Sequence, residues 1–132
     1  MPKKETAAAL TGRNELPYSP VVKIGNHFHF SGVIPNIDEH NKLISPGDIV
    51  GQTRQVLQKI GALLKACGLT PNDVYSATLM LNGSMEHFPL VNKLYSEFFA
   101  EAEIKPRRKA FAVAGLPFDA MIEIEFDAVK QE

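Results

Sequence analysis

Two hydrophobic periods alternate along this chain, and the changes of period mark its elements. Val21 to Ile24 and His27 to Ser31 are short β-rich runs, and Gly25-Asn26 between them suits a two-residue turn. In the second run Phe28 and Phe30 face one way, and His27 and His29 the other. Gly32 and Pro35 punctuate the next stretch, and Asn36 to Pro46 reads as a loop or short hairpin. The period then becomes helical. Asp48 is placed to cap a helix in which Ile49, Thr53, Val56, Leu57, Ile60, Leu63, Leu64 and Cys67 share one face. Gln52, Arg54, Gln55, Gln58, Lys59 and Lys65 fill the rest, with Gly68 and Pro71 as the stop. Val74 to Leu81 is a strand with Tyr75, Ala77, Leu79 and Leu81 on one side, closed by the turn Asn82-Gly83-Ser84.

A second helix is predicted from about Glu86 to Ala100, with Pro89 in its first turn and Phe88, Val91, Leu94, Tyr95 and Phe98 as its buried stripe. Two more strands are predicted, at Lys109 to Ala114 and Met121 to Val129. In the last, Ile122, Ile124, Phe126 and Ala128 alternate with Glu123, Glu125 and Asp127. The order ββαβαββ predicts an α+β sandwich with two helices on one face of one sheet. The other face must carry polar residues or be covered by another subunit.

Length and charge narrow the partners. The 132 residues, 45% hydrophobic and 22% charged, make one globular domain, read as residues 16–132 behind a flexible arm from Met1 to Glu15. A net charge of -1 supplies no global field to recruit nucleic acid or an anionic membrane. The single Cys67 excludes an internal disulfide, and no apolar run reaches the roughly 20 residues that cross a bilayer. Ala7 to Leu10 is too short for a signal-peptide core, and Glu5 and Glu15 depart from a mitochondrial transit peptide. A cytoplasmic protein is the expectation, ahead of a mitochondrial one.

Few residues stand out chemically. Lys105-Pro106-Arg107-Arg108-Lys109 is the densest charge run. It reads as a solvated loop, a phosphate contact or a carboxylate clamp, since a guanidinium fork grips a carboxylate through two parallel hydrogen bonds. Glu123, Glu125 and Asp127 lie at period 2, and one of them in a cleft would position water or move a proton. Of the four histidines only His27 and His29 lie close together, without a nearby carboxylate or thiolate in sequence, so no metal is expected. Cys67 falls on the apolar stripe and reads as a packed residue.

Several segments taken in order resemble the Rid/YjgF/L-PSP family. Pro17-Tyr18-Ser19 is similar to its Gly-Pro-Tyr-Ser, and Ser31-Gly32-Val33-Ile34-Pro35 to its Ser-Gly-Gln-Ile-Pro. Gly25-Asn26 and Gln52-Thr53-Arg54-Gln55 fall where the family has a Gly-Asn and a helix motif. Val91-Asn92-Lys93-Leu94-Tyr95 with Phe98-Phe99, Pro106-Arg107-Arg108 and Ile122-Glu123-Ile124-Glu125 match its Val-Asn-x-x-Tyr, Phe-Phe, Pro-x-Arg and Val-Glu-Ile-Glu.

The resemblance implies a chorismate-mutase-like subunit in a homotrimer whose sheets form a central β-barrel, with sites in the clefts between subunits. It implies hydrolysis of reactive enamines and imines, such as 2-aminoacrylate, to 2-oxo acids and ammonia without metal or organic cofactor. Carried across, Arg108 holds the substrate carboxylate, Glu123 stands near the attacked carbon and Tyr18 lines the cleft. Gly32 offers a backbone contact and Asn92 is the helix asparagine. Leu16, Pro20 and Val33 depart from the family pattern, as do Lys109 and Ala110, which are read as substrate-binding wall positions. The alternatives are an endoribonuclease or translation inhibitor of the L-PSP type, which net charge disfavours, and a non-catalytic small-ligand-binding or chaperone-like trimer.

Overall fold

The computed structural model describes residues 3–6 and 16–131. Its core is a six-stranded mixed sheet in the order β1-β2-β3-β6-β4-β5. The strands are β1 (Lys4–Thr6), β2 (Val21–Ile24), β3 (His27–Val33), β4 (Val74–Asn82), β5 (Arg107–Val113) and β6 (Ile122–Val129). Among the described residues two α-helices, α1 (Ile49–Ala66) and α2 (Phe88–Phe98), pack with the sheet in an α+β fold. β4 and β5 pair in parallel, and every other pairing is antiparallel. Of the predicted arm, residues 3–6 are described and include β1, an edge strand paired with β2. The rest of the arm lies outside the described residues.

Local chemistry accounts for the element ends. The Asp48 carboxylate accepts the Gly51 N–H at 2.9 Å and caps α1. At the other end Gly68 takes φ +73, a conformation that glycine adopts without penalty, while Gly68 and Leu69 donate back to Lys65 and Leu64. β2 and β3 turn at Gly25-Asn26, and Asn26 exchanges bonds with Lys130 that tie this hairpin to the end of β6. Ile37 and Leu43 form the bridge of a short hairpin in the loop after β3. α2 begins at Phe88 and ends at Phe98, tighter than the sequence pattern, and β5 begins two residues early, at Arg107.

The helix-facing side of the sheet is the core. Phe28, Phe30, Ala77, Leu79, Leu81, Ile122, Ile124, Phe126 and Ala128 are buried there with Val56, Ile60 and Leu64 of α1 and Val91 of α2. Two expectations change. Tyr75 is exposed, not on the side of Ala77 and Leu79, because the β4–β6 register shifts between Val74 and Ser76. One extra residue inverts the side chains before it. Gln52, read as part of the polar face, is fully buried. Its Nε2 donates to the Ser45 carbonyl and its Oε1 accepts the Met121 N–H, both at 2.9 Å, so it bolts the loop before α1 to the start of β6.

The opposite sheet face carries His27, His29, Glu123, Glu125 and Asp127, together with Tyr75 and Phe111. His29 Nδ1 and Asp127 Oδ1 lie 3.1 Å apart on it. Among the described residues no helix is long and apolar enough to cross a membrane.

Candidate active site

Arg108 is fixed by its strand and by α2. In β5 it pairs with Ala77, which is buried on the helix side, so the arginine rises on that side as well. Phe88, Asn92 and Tyr95 recur at helical spacing on α2 and meet it. Arg108 Nη1 donates to Asn92 Oδ1 at 2.6 Å. The guanidinium carbon lies 5.3 Å from the Phe88 ring centroid and 5.0 Å from that of Tyr95. Both distances fall within cation–π range. Burial pushes the Tyr95 phenol above its ordinary value, and the Arg108 charge opposes that shift. The group is a guanidinium held on three sides in an otherwise exposed position, which suits capture of a carboxylate.

A second group gathers around the β3 bulge. The β3–β6 register shifts between Phe30 and Val33, and Gly32 sits in the shift. The Glu123 side chain packs across Gly32 so closely that a Cβ there would collide with the carboxylate. Burial raises the Glu123 carboxyl above the usual carboxylate value, with the neighbouring Glu125 charge adding to it. Gly32 also walls a cavity of about 650 Å³, with Tyr18, Val33, Ile37, Leu63 and Phe118 among its other lining residues. Tyr18 is exposed, and the Ser31 hydroxyl donates to the Ser19 carbonyl at 2.7 Å, joining the Tyr18 segment to β3.

The site residues read from sequence therefore fall into two sets. Arg108, Asn92 and Ala110 share the helix side of the β4–β5 edge, Ala110 pairing with buried Leu79. Tyr18, Gly32 and Glu123 cluster at β3. One subunit does not bring the sets together. Glu123 pairs with Met80 on the open face, while Arg108 is two strands and three register steps away on the other face. That separation is about 10 Å across the sheet and about 10 Å along it. Lys109 pairs with Thr78, the partner of Glu125, so it stands on the open face and not beside Arg108. The sequence alone does not single out Phe88, Tyr95 or Phe118 as site residues. The first two belong to the core stripe of α2, and only their contact with Arg108 reveals the second role.

Other reactive side chains are less suited to chemistry. Burial pushes the Cys67 thiol up, away from the thiolate a nucleophile needs. Among the described residues no group of three or more His, Cys, Asp or Glu could hold a metal.

Comparison with known proteins agrees with the fold and with the ordered motifs. Over 115 residues the chain is 45% identical to a RutC family protein of Pyrococcus horikoshii, covering 87% of this chain and 88% of that one. It is 35% identical over 128 residues to the 2-iminobutanoate/2-iminopropanoate deaminase of Escherichia coli, covering 96% and 94%. A solved Rid family protein of Yersinia pestis superposes with a TM-score of 0.85 at 29% identity, covering 97% of this chain and all of that one. The family model described as Endoribonuclease L-PSP matches residues 9–130. The protein thus belongs to the Endoribonuclease L-PSP family, the family of the Rid and YjgF proteins.

Proposed function

We propose that the protein is a hydrolytic deaminase of reactive enamines and imines of the 2-aminoacrylate and 2-iminopropanoate type. Water adds to the C=N carbon of the imino acid. The carbinolamine collapses, the C–N bond breaks and ammonia leaves, giving the 2-oxo acid with no change of oxidation state. Arg108 grips the substrate carboxylate, with Asn92 holding the guanidinium. Glu123, whose proton affinity burial raises above that of an ordinary carboxylate, orients the water and can take and return a proton. Tyr18 and Gly32 line the pocket, and Ala110, on the same face of β5 as Arg108, is a wall position, whereas Lys109 points to the open face. The observation that carries this reading is the immobilised Arg108, an anchor of the kind a 2-imino acid requires.

The separation of Arg108 from Glu123 supports a site shared between two copies of the chain. Arg108, Asn92 and Ala110 of one subunit face Tyr18, Gly32 and Glu123 of its neighbour in a homotrimer. The open sheet faces line its central barrel. Light scattering at micromolar concentration checks the assembly, and a monomer would refute the shared site.

The direct test generates 2-iminopropanoate in the presence of the protein and follows release of ammonia and pyruvate. Rates no faster than in buffer would exclude the deaminase. An endoribonuclease or translation inhibitor would use Arg107, Arg108 and Lys109 together against phosphates. That run divides between the two faces of β5, and Arg108 is engaged by α2, which favours the deaminase. A non-catalytic trimer would bind the 2-oxo acid and leave the imine's lifetime unchanged.

A further inference from the structure

Phe118 and Asp119 both have φ of 59°, in the left-handed region that non-glycine residues seldom enter. Surrounding bonds impose this. Asn82 Nδ2 donates to the Ala120 carbonyl at 2.9 Å and to Asp119 Oδ1 at 3.3 Å. The Asp119 and Ala120 N–H groups close back onto Leu116 and Pro117 at 3.1 Å. Glycine would take this backbone without steric cost. The phenyl ring gains little burial in return, being 45% exposed. What the ring does is form a wall of the cavity that Tyr18 and Gly32 also line.

That cavity, about 650 Å³, falls in the range of about 300–1,000 Å³ that holds drug-sized ligands. A three-carbon imino acid leaves most of it empty. Val33, Ile37 and Leu63 make its lining largely apolar. Leu16 and Pro20, two of the departures from the family pattern, lie in the same wall. Apolar walls reward apolar substrate groups, since each buried methylene contributes to discrimination.

We propose that Phe118 is a specificity-determining residue that contacts the substrate's side chain. It selects imino acids with branched aliphatic or aromatic side chains over 2-iminopropanoate. This rests on the deaminase reading and names the substrate class within it. The strained loop between β5 and β6 keeps the ring at the cavity, where a relaxed loop would let it leave.

The test compares kcat/KM for 2-iminopropanoate with that for the imines of leucine and phenylalanine, generated in place by an amino-acid oxidase. Wild type should favour the larger imines. Phe118→Gly should lower the ratio of kcat/KM for the larger imines to that for 2-iminopropanoate about tenfold or more, and melt at a higher temperature because the strain is relieved. Phe118→Leu should keep most of the preference for the leucine imine. Equal changes in both substrate classes, or an unaltered ratio, would overturn the proposal. If wild type hydrolyses none of them, the deaminase reading fails, and calorimetric binding decides on Phe118. A preference for 4-methyl-2-oxopentanoate over pyruvate that Phe118→Gly abolishes supports its role, and an unchanged preference refutes it.

Discussion

Arg108 and Asn92 are joined by a 2.6 Å hydrogen bond from Nη1 to Oδ1, which links the β5 edge to the middle of α2. The bond commits one corner of the guanidinium to the protein and orients the rest of the fork. With Phe88 and Tyr95 against the same group, a long side chain loses its freedom before any ligand arrives. Ordering done in advance is not charged again on binding.

Replacing Arg108 should therefore remove both charge and geometry. Charge-assisted hydrogen bonds contribute about 1.5–3 kcal/mol each. Arg108→Ala should lower kcat/KM on imino acids at least about tenfold. Arg108→Lys keeps the charge without the fork and should stay impaired. Arg107→Ala, on the opposite face of β5, should be nearly silent in the same assay.

Tyr95 separates ring from hydroxyl. Its phenolic oxygen is buried without a partner among the described residues. Such an orphan costs about 1–3 kcal/mol. Tyr95→Phe should melt at or above the wild-type temperature and keep its activity. Tyr95→Leu loses a cation–π contact of about 0.5–2 kcal/mol, which should raise KM about two- to thirtyfold with little change in kcat. Equal KM values for the two variants would show that the ring does not hold Arg108.

Gly32 tests the Glu123 contact. Any Cβ at this position must push the Glu123 carboxylate aside. Gly32→Ala should reduce kcat on imino acids about as strongly as Glu123→Gln does, and combining the two should cost little more than either alone. Additive losses in the double-mutant cycle would argue that Gly32 acts independently.

Glu123 should also leave a mark on stability. Burial, with Glu125 beside it, raises its folded pKa above the usual carboxylate value. Between those two values the native state holds more protons than the unfolded state. Stability contributed by the protonated carboxyl is full below the unfolded value and is lost as pH rises through the folded one. Glu123→Gln should thus be more stable than wild type at pH 7, and melting curves of the two should converge at acid pH. A variant less stable than wild type at pH 7 would contradict the shift.

Gln52 is a structural counterpart. Removing its side chain orphans the Ser45 carbonyl and the Met121 N–H, both now satisfied by it. Gln52→Ala should destabilise by about 2–4 kcal/mol, read from denaturant midpoints.

The clearest elements were legible because their signals are local. The Asp48 cap, the stripe from Ile49 to Leu64 and the alternation from Ile122 to Ala128 each depend on neighbours within a few residues. The family motifs likewise picked out Arg108, Asn92, Gly32 and Glu123, which the fold arranges as two pairs in contact. Pairing order was not legible, because strand contacts join residues far apart in the chain: β6 enters between β3 and β4, and β5 joins β4 in parallel. Nor was the facing of side chains beyond a register shift, since one extra residue inverts the parity on which alternation rests. Tyr75 turned outward for that reason. Gln52 looked solvated because polarity predicts exposure only until a buried partner exists for each of its atoms, and those partners come from two distant segments. The placing of Arg108 and Glu123 on opposite faces comes from the same long-range registers, and it is what makes a lone subunit incomplete for the chemistry proposed.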